Sequence, residues 1–308
     1  MSSDSMANSQ KEELTIHVFS LEKGNFITII WTRMFIFGGH DIREGTLDSL
    51  WMVELTKVQE GEHKGAEFGD AVEKKVQWNK LETTGKDKPG KIYDVNNLLG
   101  PIAHHSSVVF SEKMYLFGGS NQQRKVHNHT FWQLDLKNLR WDVIFARGDI
   151  PGNREDHTAV IYEGAMVVFG GFLPNGERTN DIYMYFFKEN KWEKVSVLGL
   201  DLPKARAGHS AIVFGDSMVI FGGRDEEANK LNDIWVFNFT SYQWEEIHAY
   251  DPPVPRSGHS ACLYKDMMLV FGGMFEVTKE LDDMHLFDFR NKRWITFFEE
   301  QNSPTRLK

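Results

Sequence analysis

The chain has 308 residues, of which 41% are hydrophobic and 13% aromatic, enough to build a large core and too much for a disordered chain. Its net charge of −9, with no long run of Lys or Arg, excludes a general nucleic-acid binder, which needs clustered cations against phosphates. The single cysteine, Cys262, excludes an intrachain disulfide and fits a reducing compartment.

Residues 1–13 are polar and carry no apolar signal core, so they read as a flexible N-terminal segment. No uninterrupted apolar run of transmembrane length follows, and the expected location is cytosolic or nuclear, with no membrane association. From about residue 14 a pattern repeats. Phe-Gly-Gly occurs at Phe37, Phe117, Phe169, Phe221 and Phe271, each with a Met four residues before the first Gly. The last four copies are spaced by 52, 52 and 50 residues. Thirteen residues before each of these pairs stands His105, His157, His209 or His259, followed by Ser106, Thr158, Ser210 or Ser260. A tryptophan follows each first Gly by 22 or 23 residues: Trp141, Trp192, Trp244 and Trp294. The first copy is divergent but in register, with Asn25 at the histidine position and Trp78 delayed by an insertion.

Short runs such as Met218–Phe221 and Ile234–Phe239 are rich in β-branched and aromatic residues and apolar on both strand faces. Sheets stacked face to face around an axis need this composition, and a lone unit could not bury both its faces. The co-occurring elements Arg206-Ala-Gly-His-Ser, Met218-Val-Ile-Phe-Gly-Gly and Asn232-Asp-Ile-Trp resemble the kelch repeat family. The resemblance implies an all-β, kelch-type β-propeller of four-stranded blades, with five recognisable repeats spanning residues 14–300. Within a blade, strand A follows the histidine, strand B ends at Gly-Gly, strand C holds Asn-Asp-Ile-Trp and strand D surrounds the second tryptophan. Residues 301–308 read as a C-terminal tail or as the start of a sixth blade, because Pro304-Thr-Arg306 imitates the Pro-x-x-Arg before strands A at Arg154 and Arg206. The stretch Leu14–Phe19 reads as a candidate closing outer strand. Insertions at 56–75 and 82–101 are charged and Gly-containing, and read either as surface excursions or as partner-binding loops.

Catalytic signatures are missing: there is no Gly-x-Ser-x-Gly elbow and no Walker-type loop, and Cys262 sits in an apolar strand context. No catalytic residue, metal site or cofactor is expected. The repeated histidines lie on different blades, too far apart to converge on one metal, and are expected to satisfy backbone groups between blades. His127-Asn128-His129 has no third ligand at a recognised spacing.

The D-to-A and B-to-C connections share one face of such a ring. Arg154, Arg206 and Arg256 stand there, and each is expected to pair with the aspartate of its own strand C: Asp181, Asp233 and Asp283. Arg43, Arg124, Arg178 and Arg224 lack a repeat-matched partner and are the candidate ligand contacts, together with Phe172, Met274 and Phe275 as apolar anchors on the variable loops. The resemblance implies a monomeric, non-catalytic scaffold binding a protein or an acidic peptide through this face, as an adaptor in a larger complex. The alternative it allows is an enzyme with a pocket at the axis, as in kelch-like specifier proteins and sialic-acid epimerases.

Overall fold

The structure is a computed structural model, described here for residues 26–30, 33–41, 43–55, 77–85, 99–121, 125–128, 130–276 and 279–298. Five antiparallel sheets follow one another along the chain, each a meander with strands in the order A-B-C-D. Blade 1 comprises Phe26–Ile30, Arg33–Phe37, Leu50–Glu54 and Asn79–Leu81. Blade 2 comprises Ala103–Phe110, Lys113–Asn121, Phe131–Asp135 and Arg140–Ile144. Blade 3 is Thr158–Tyr162, Ala165–Phe172, Arg178–Phe186 and Lys191–Lys194. Blade 4 is Ser210–Phe214, Ser217–Arg224, Lys230–Asn238 and Gln243–Ile247. Blade 5 is Ser260–Tyr264, Met267–Met274, Glu280–Asp288 and Arg293–Phe298. Strands A of successive blades lie side by side around an axis from blade 1 to blade 5. The fold is a five-blade β-propeller, as the repeat spacing implied. Leu14–Phe19, Pro304–Arg306 and the 56–75 insertion lie outside the described residues, as does most of 82–101.

The core lies between blades, which explains why the strands are apolar on both faces. The Phe of the first four Phe-Gly-Gly copies packs on the strand-D tryptophan of the next blade: Phe37 on Trp141 (4.9 Å), Phe117 on Trp192 (5.2 Å), Phe169 on Trp244 (5.0 Å) and Phe221 on Trp294 (4.8 Å). These tilted ring pairs add to the area they bury. A second staple joins the far ends of the blades, where Tyr162 stacks on Phe239 and Phe214 on Phe289 at 3.9 and 4.3 Å.

The Gly pair is where one blade's backbone meets the next. In blade 3 both glycines are left-handed, and a Cβ on Gly170 would stand 2.9 Å from the Arg206 carbonyl and 3.0 Å from the His209 ring. That closeness lets the second glycine's amide donate across the gap: Gly119 to the Arg154 carbonyl (2.8 Å), Gly171 to Arg206 (2.9 Å) and Gly223 to Arg256 (2.8 Å). On leaving strand D the chain runs parallel to strand D of the next blade, as Arg147–Gly148 does beside Lys191–Trp192. It thereby partly covers an edge that would otherwise be open.

The arginines are structural as expected. Arg154, Arg206 and Arg256 are almost wholly buried and reach Asp181, Asp233 and Asp283 at 2.6, 2.8 and 2.6 Å. Each also donates to the first-glycine carbonyl of its own blade at 3.0 Å. The repeated histidines bond the backbone of the preceding blade as expected, His157 at Phe117 and His259 at Phe221, and they also meet hydroxyls there. His157, His209 and His259 meet Ser106, Thr158 and Ser210 of the preceding blade through Nε2, at 2.7, 2.8 and 2.9 Å. The hydroxyl that follows His105, His157 and His209 in sequence is thus the acceptor or donor for the next blade's imidazole. Burial holds all four imidazoles neutral: His105 and His259 are pushed down to about 3, and His157 and His209 well below the usual value.

Candidate functional site

The residue just before each repeated histidine turns the chain over the mouth of the central channel, and it does so with a left-handed backbone. His104, Asp156, Gly208 and Gly258 have φ of 60°, 54°, 66° and 67°. These four residues form a belt of main-chain hydrogen bonds around the axis. The Asp156 amide donates to the His104 carbonyl (3.0 Å), Gly208 to Asp156 (2.8 Å) and Gly258 to Gly208 (2.7 Å).

Glycine adopts this conformation freely, whereas a residue with a Cβ does so at a cost of about 1–2 kcal/mol. Blades 2 and 3 bear that cost, and what they gain is a pair of side chains at the channel mouth. His104 Nδ1 and Asp156 Oδ1 are 2.8 Å apart, and the other Asp156 oxygen accepts from Arg224 Nη2 at 3.0 Å. Backbone strain of this kind concentrates at functional sites.

Arg224 directly follows the Gly pair of blade 4, and Arg178 opens strand C of blade 3. The Arg178 guanidinium lies over the Phe172 ring at 5.4 Å and donates to the Glu226 carbonyl of the neighbouring blade at 3.2 Å. Together His104, Glu155, Asp156, Phe172, Arg178 and Arg224 line a cavity of about 210 Å³. The Nε atoms of both Arg178 and Arg224 are buried and have no acceptor among the described residues. Glu155 accepts a hydrogen bond from the Ser120 hydroxyl, so its carboxylate is partly engaged.

The charges are arranged in opposition. Burial disfavours a charged His104, but the hydrogen bond it donates to Asp156 outweighs this and raises the imidazole's pKa above the usual value. Burial would likewise raise the Asp156 carboxyl, and the bond to His104 and the charge of Arg224 bring it below the carboxylate range instead. Arg178 is held below the usual guanidinium value by burial and then by the neighbouring Arg224 charge. Two like charges kept close, each with a buried donor that has no acceptor among the described residues, favour an anion.

Of the residues singled out from sequence, Arg178, Arg224 and Phe172 converge here. Arg224 does have an acidic partner, Asp156, supplied by a neighbouring blade rather than by its own repeat. Arg43 is exposed on the hairpin of blade 1, its amide bonded to Asp41 Oδ1 at 2.6 Å, and Arg124 lies outside the described residues. Met274 and Phe275 are half-buried beside strand A of blade 5, where Met274 pairs with Ser257 through the backbone. Sequence reasoning missed His104, Glu155 and Asp156. The signal was present in the repeats: where blades 4 and 5 have Gly before the histidine, blades 2 and 3 have His and Asp.

Among the described residues no three His, Cys, Asp or Glu side chains stand close enough to share a metal ion, and no helix is long and apolar enough to cross a membrane. The family model described as the KLHDC2/KLHL20/DRC7 Kelch-repeats domain matches residues 104–307. The chain is 29% identical over 233 residues to Kelch domain-containing protein 3 of Bos taurus, covering 73% of this chain and 53% of that protein. It is 34% identical over 140 residues to host cell factor 2 of Homo sapiens, covering 40% of this chain and 17% of that protein. It is 31% identical over 150 residues to the leucine-zipper-like transcriptional regulator 1 homolog of Drosophila melanogaster, covering 46% and 15%. The chain thus spans about half the length of the Kelch domain-containing proteins it matches over most of its own length, and less of the others. The periodic Phe-Gly-Gly, the inter-blade tryptophans, the five meandering sheets and the matched family model make this chain a member of the kelch-repeat β-propeller family.

Proposed function

We propose that the chain is a non-catalytic scaffold that binds a protein or peptide partner at the channel mouth, seating an acidic group between Arg178 and Arg224. The observation that carries this reading is a cavity of about 210 Å³ lined by both Arg178 and Arg224, each of which has a buried Nε with no acceptor among the described residues. A buried donor without a partner costs about 1–3 kcal/mol, which a carboxylate oxygen would recover on binding. Phe172 supplies an apolar wall, and the rigid blades hold the loops that present these groups. An adaptor role, a monomeric state and residence in the cytosol or nucleus belong to the same proposal.

The test is affinity enrichment from an extract, comparing the wild type with an Arg178→Gln, Arg224→Gln double variant, each challenged with free oligo-glutamate peptide. Partners that the wild type retains should be released by the peptide and absent from the double variant. Identical partner lists from both proteins, unaffected by the peptide, would remove this face from consideration.

A further inference from the structure

At the end of the propeller away from the channel mouth, blades 2–5 pass from strand C to strand D through a turn of one conformation. Its last residue is left-handed in all four copies, with φ of 55° at Leu139, 48° at Asn190, 56° at Tyr242 and 51° at Lys292. Four residues earlier, blades 2, 4 and 5 carry Asp135, Asn238 and Asp288. The Oδ1 atom of each accepts from two successive turn amides: Lys137 and Asn138 at 2.9 and 3.1 Å, Thr240 and Ser241 at 3.0 and 2.8 Å, Arg290 and Asn291 at 2.8 and 3.1 Å. A short side chain with an oxygen at this place caps the turn locally. Blade 3 has Phe186 there, and the equivalent amides of Lys188 and Glu189 have no side-chain acceptor among the described residues.

Two more departures from the repeat fall beside this turn. Where blades 3, 4 and 5 have Val167, Val219 and Leu269 on strand B, blade 2 has Tyr115. Tyr115 is 7% exposed, its ring lies 4.5 Å from that of Phe187, and its hydroxyl has no hydrogen-bond partner among the described residues. Burial raises this phenol above its usual value, so it stays a donor at neutral pH. Lys113 stands where the other blades have Ala165, Ser217 and Met267. Tyr115, Lys113, Phe186 and the Lys188–Glu189 turn line one cavity of about 530 Å³, walled by Phe110 stacked on Phe187 at 4.2 Å. Glu163 and Glu189 border the same cavity and offset Lys113 and Lys188, so neutral donors rather than net charge select the ligand.

We propose that this cavity is a second docking site, independent of the channel mouth, for a partner segment in which an aspartate adjoins an aromatic residue. The repeat itself identifies the chemistry, because the missing acceptor is a carboxylate in the same turn of blades 2 and 5. The partner's aspartate accepts from the Lys188 and Glu189 amides and from the Tyr115 hydroxyl, and its aromatic neighbour lies against Phe110 and Phe187.

The probe is the dipeptide acetyl-Asp-Phe-amide, titrated into the full chain while the backbone amides are followed by NMR. The amides of Lys188 and Glu189 should move, and those of Thr240 and Ser241, already capped, should stay in place. Tyr115→Phe should weaken the peptide about two- to tenfold, the loss of one net hydrogen bond, with the melting temperature unchanged. Phe186→Asn gives the turn its own cap, as Asn238 does in blade 4, and should weaken the peptide about tenfold or more. The Arg178→Gln, Arg224→Gln double variant should bind it as the wild type does, which separates this site from the channel mouth. Amides of Lys188 and Glu189 that stay in place up to the solubility limit of the peptide would overturn the proposal, as would equal movement with acetyl-Ala-Phe-amide. Affinity unchanged in both Tyr115→Phe and Phe186→Asn would overturn it too.

Discussion

Replacing Arg206 by alanine tests the energetic logic of the ring. The Arg206 guanidinium is fully buried and makes four hydrogen bonds: Nε to the Lys204 carbonyl (3.1 Å), Nη1 to the Gly222 carbonyl (3.0 Å) and to Asp233 Oδ1 (2.8 Å), and Nη2 to Asp233 Oδ2 (2.8 Å). Asp233 also accepts from Trp235 Nε1 at 2.8 Å, so its carboxylate remains partly held but uncompensated when the cation is removed. Breaking a fully buried pair from one side costs about 3–5 kcal/mol, and the 23% exposure of the Asp233 side chain puts the expected loss at or below about 3 kcal/mol. Urea unfolding followed by tryptophan fluorescence should show a midpoint lowered by that free energy divided by the slope, with the slope itself unchanged. The Arg206→Ala, Asp233→Ala double variant should recover part of the loss, with a coupling of about 1–3 kcal/mol.

The pH dependence of the same pair supplies a sign that packing alone would not give. Burial would raise the Asp233 carboxyl, but Arg206 outweighs it and holds it below the usual value. A depressed carboxylate contributes stability that is complete above its unfolded pKa of 3.8 and is lost as pH falls through the lower folded value. The gap between wild type and Arg206→Ala should therefore be constant from neutral pH to about 4 and shrink below it. A midpoint shift no larger than that of Arg43→Ala, an exposed arginine on a hairpin, would refute the reasoning.

Two further outcomes follow from the junctions between blades. The four buried histidines are neutral when folded, with His105 and His259 at about 3, so their stabilisation is full above pH 6.5 and is lost as pH falls from there toward 3. Each contributes at most about 1.4 kcal/mol per pH unit, and a melting-temperature profile from pH 7 to 4.5 should flatten in a His209→Gln variant; an unchanged slope would contradict it. Gly170→Ala should destabilise far more than Gly176→Ala in the same denaturation assay. Both glycines are left-handed, but a Cβ at Gly170 meets the next blade's backbone and one at Gly176 meets nothing within 4 Å. Equal losses would mean that backbone strain alone, about 1 kcal/mol, accounts for both.

Much of this architecture is legible in the residues because a repeat protein states each constraint several times. The spacing of Phe-Gly-Gly, histidine and tryptophan fixes the blade boundaries, and the co-occurrence of Arg206 with Asp233 in one repeat anticipates a pair formed within one blade. The binding-site candidates were legible in part. Arg178, Arg224 and Phe172 were visible as departures from the repeat, whereas Arg43 and Met274, singled out by the same reasoning, stand away from the cavity. His104 and Asp156 looked like ordinary variation at a glycine position. Only their φ values and their meeting across two blades show that a strained conformation is being kept there.

Sequence by itself determined the all-β repeat, the apolar character of both blade faces and the structural role of the arginines before strand A. These depend on local spacing and on contacts within one repeat, which the chain writes out consecutively. Tertiary structure decided what lies between repeats. It showed that the imidazoles of His157, His209 and His259 meet a hydroxyl of the preceding blade, and that Arg224 of one blade is matched by Asp156 of another 68 residues away. Such pairings depend on how the sheets turn about the axis, and that rotation has no counterpart in the linear order of residues.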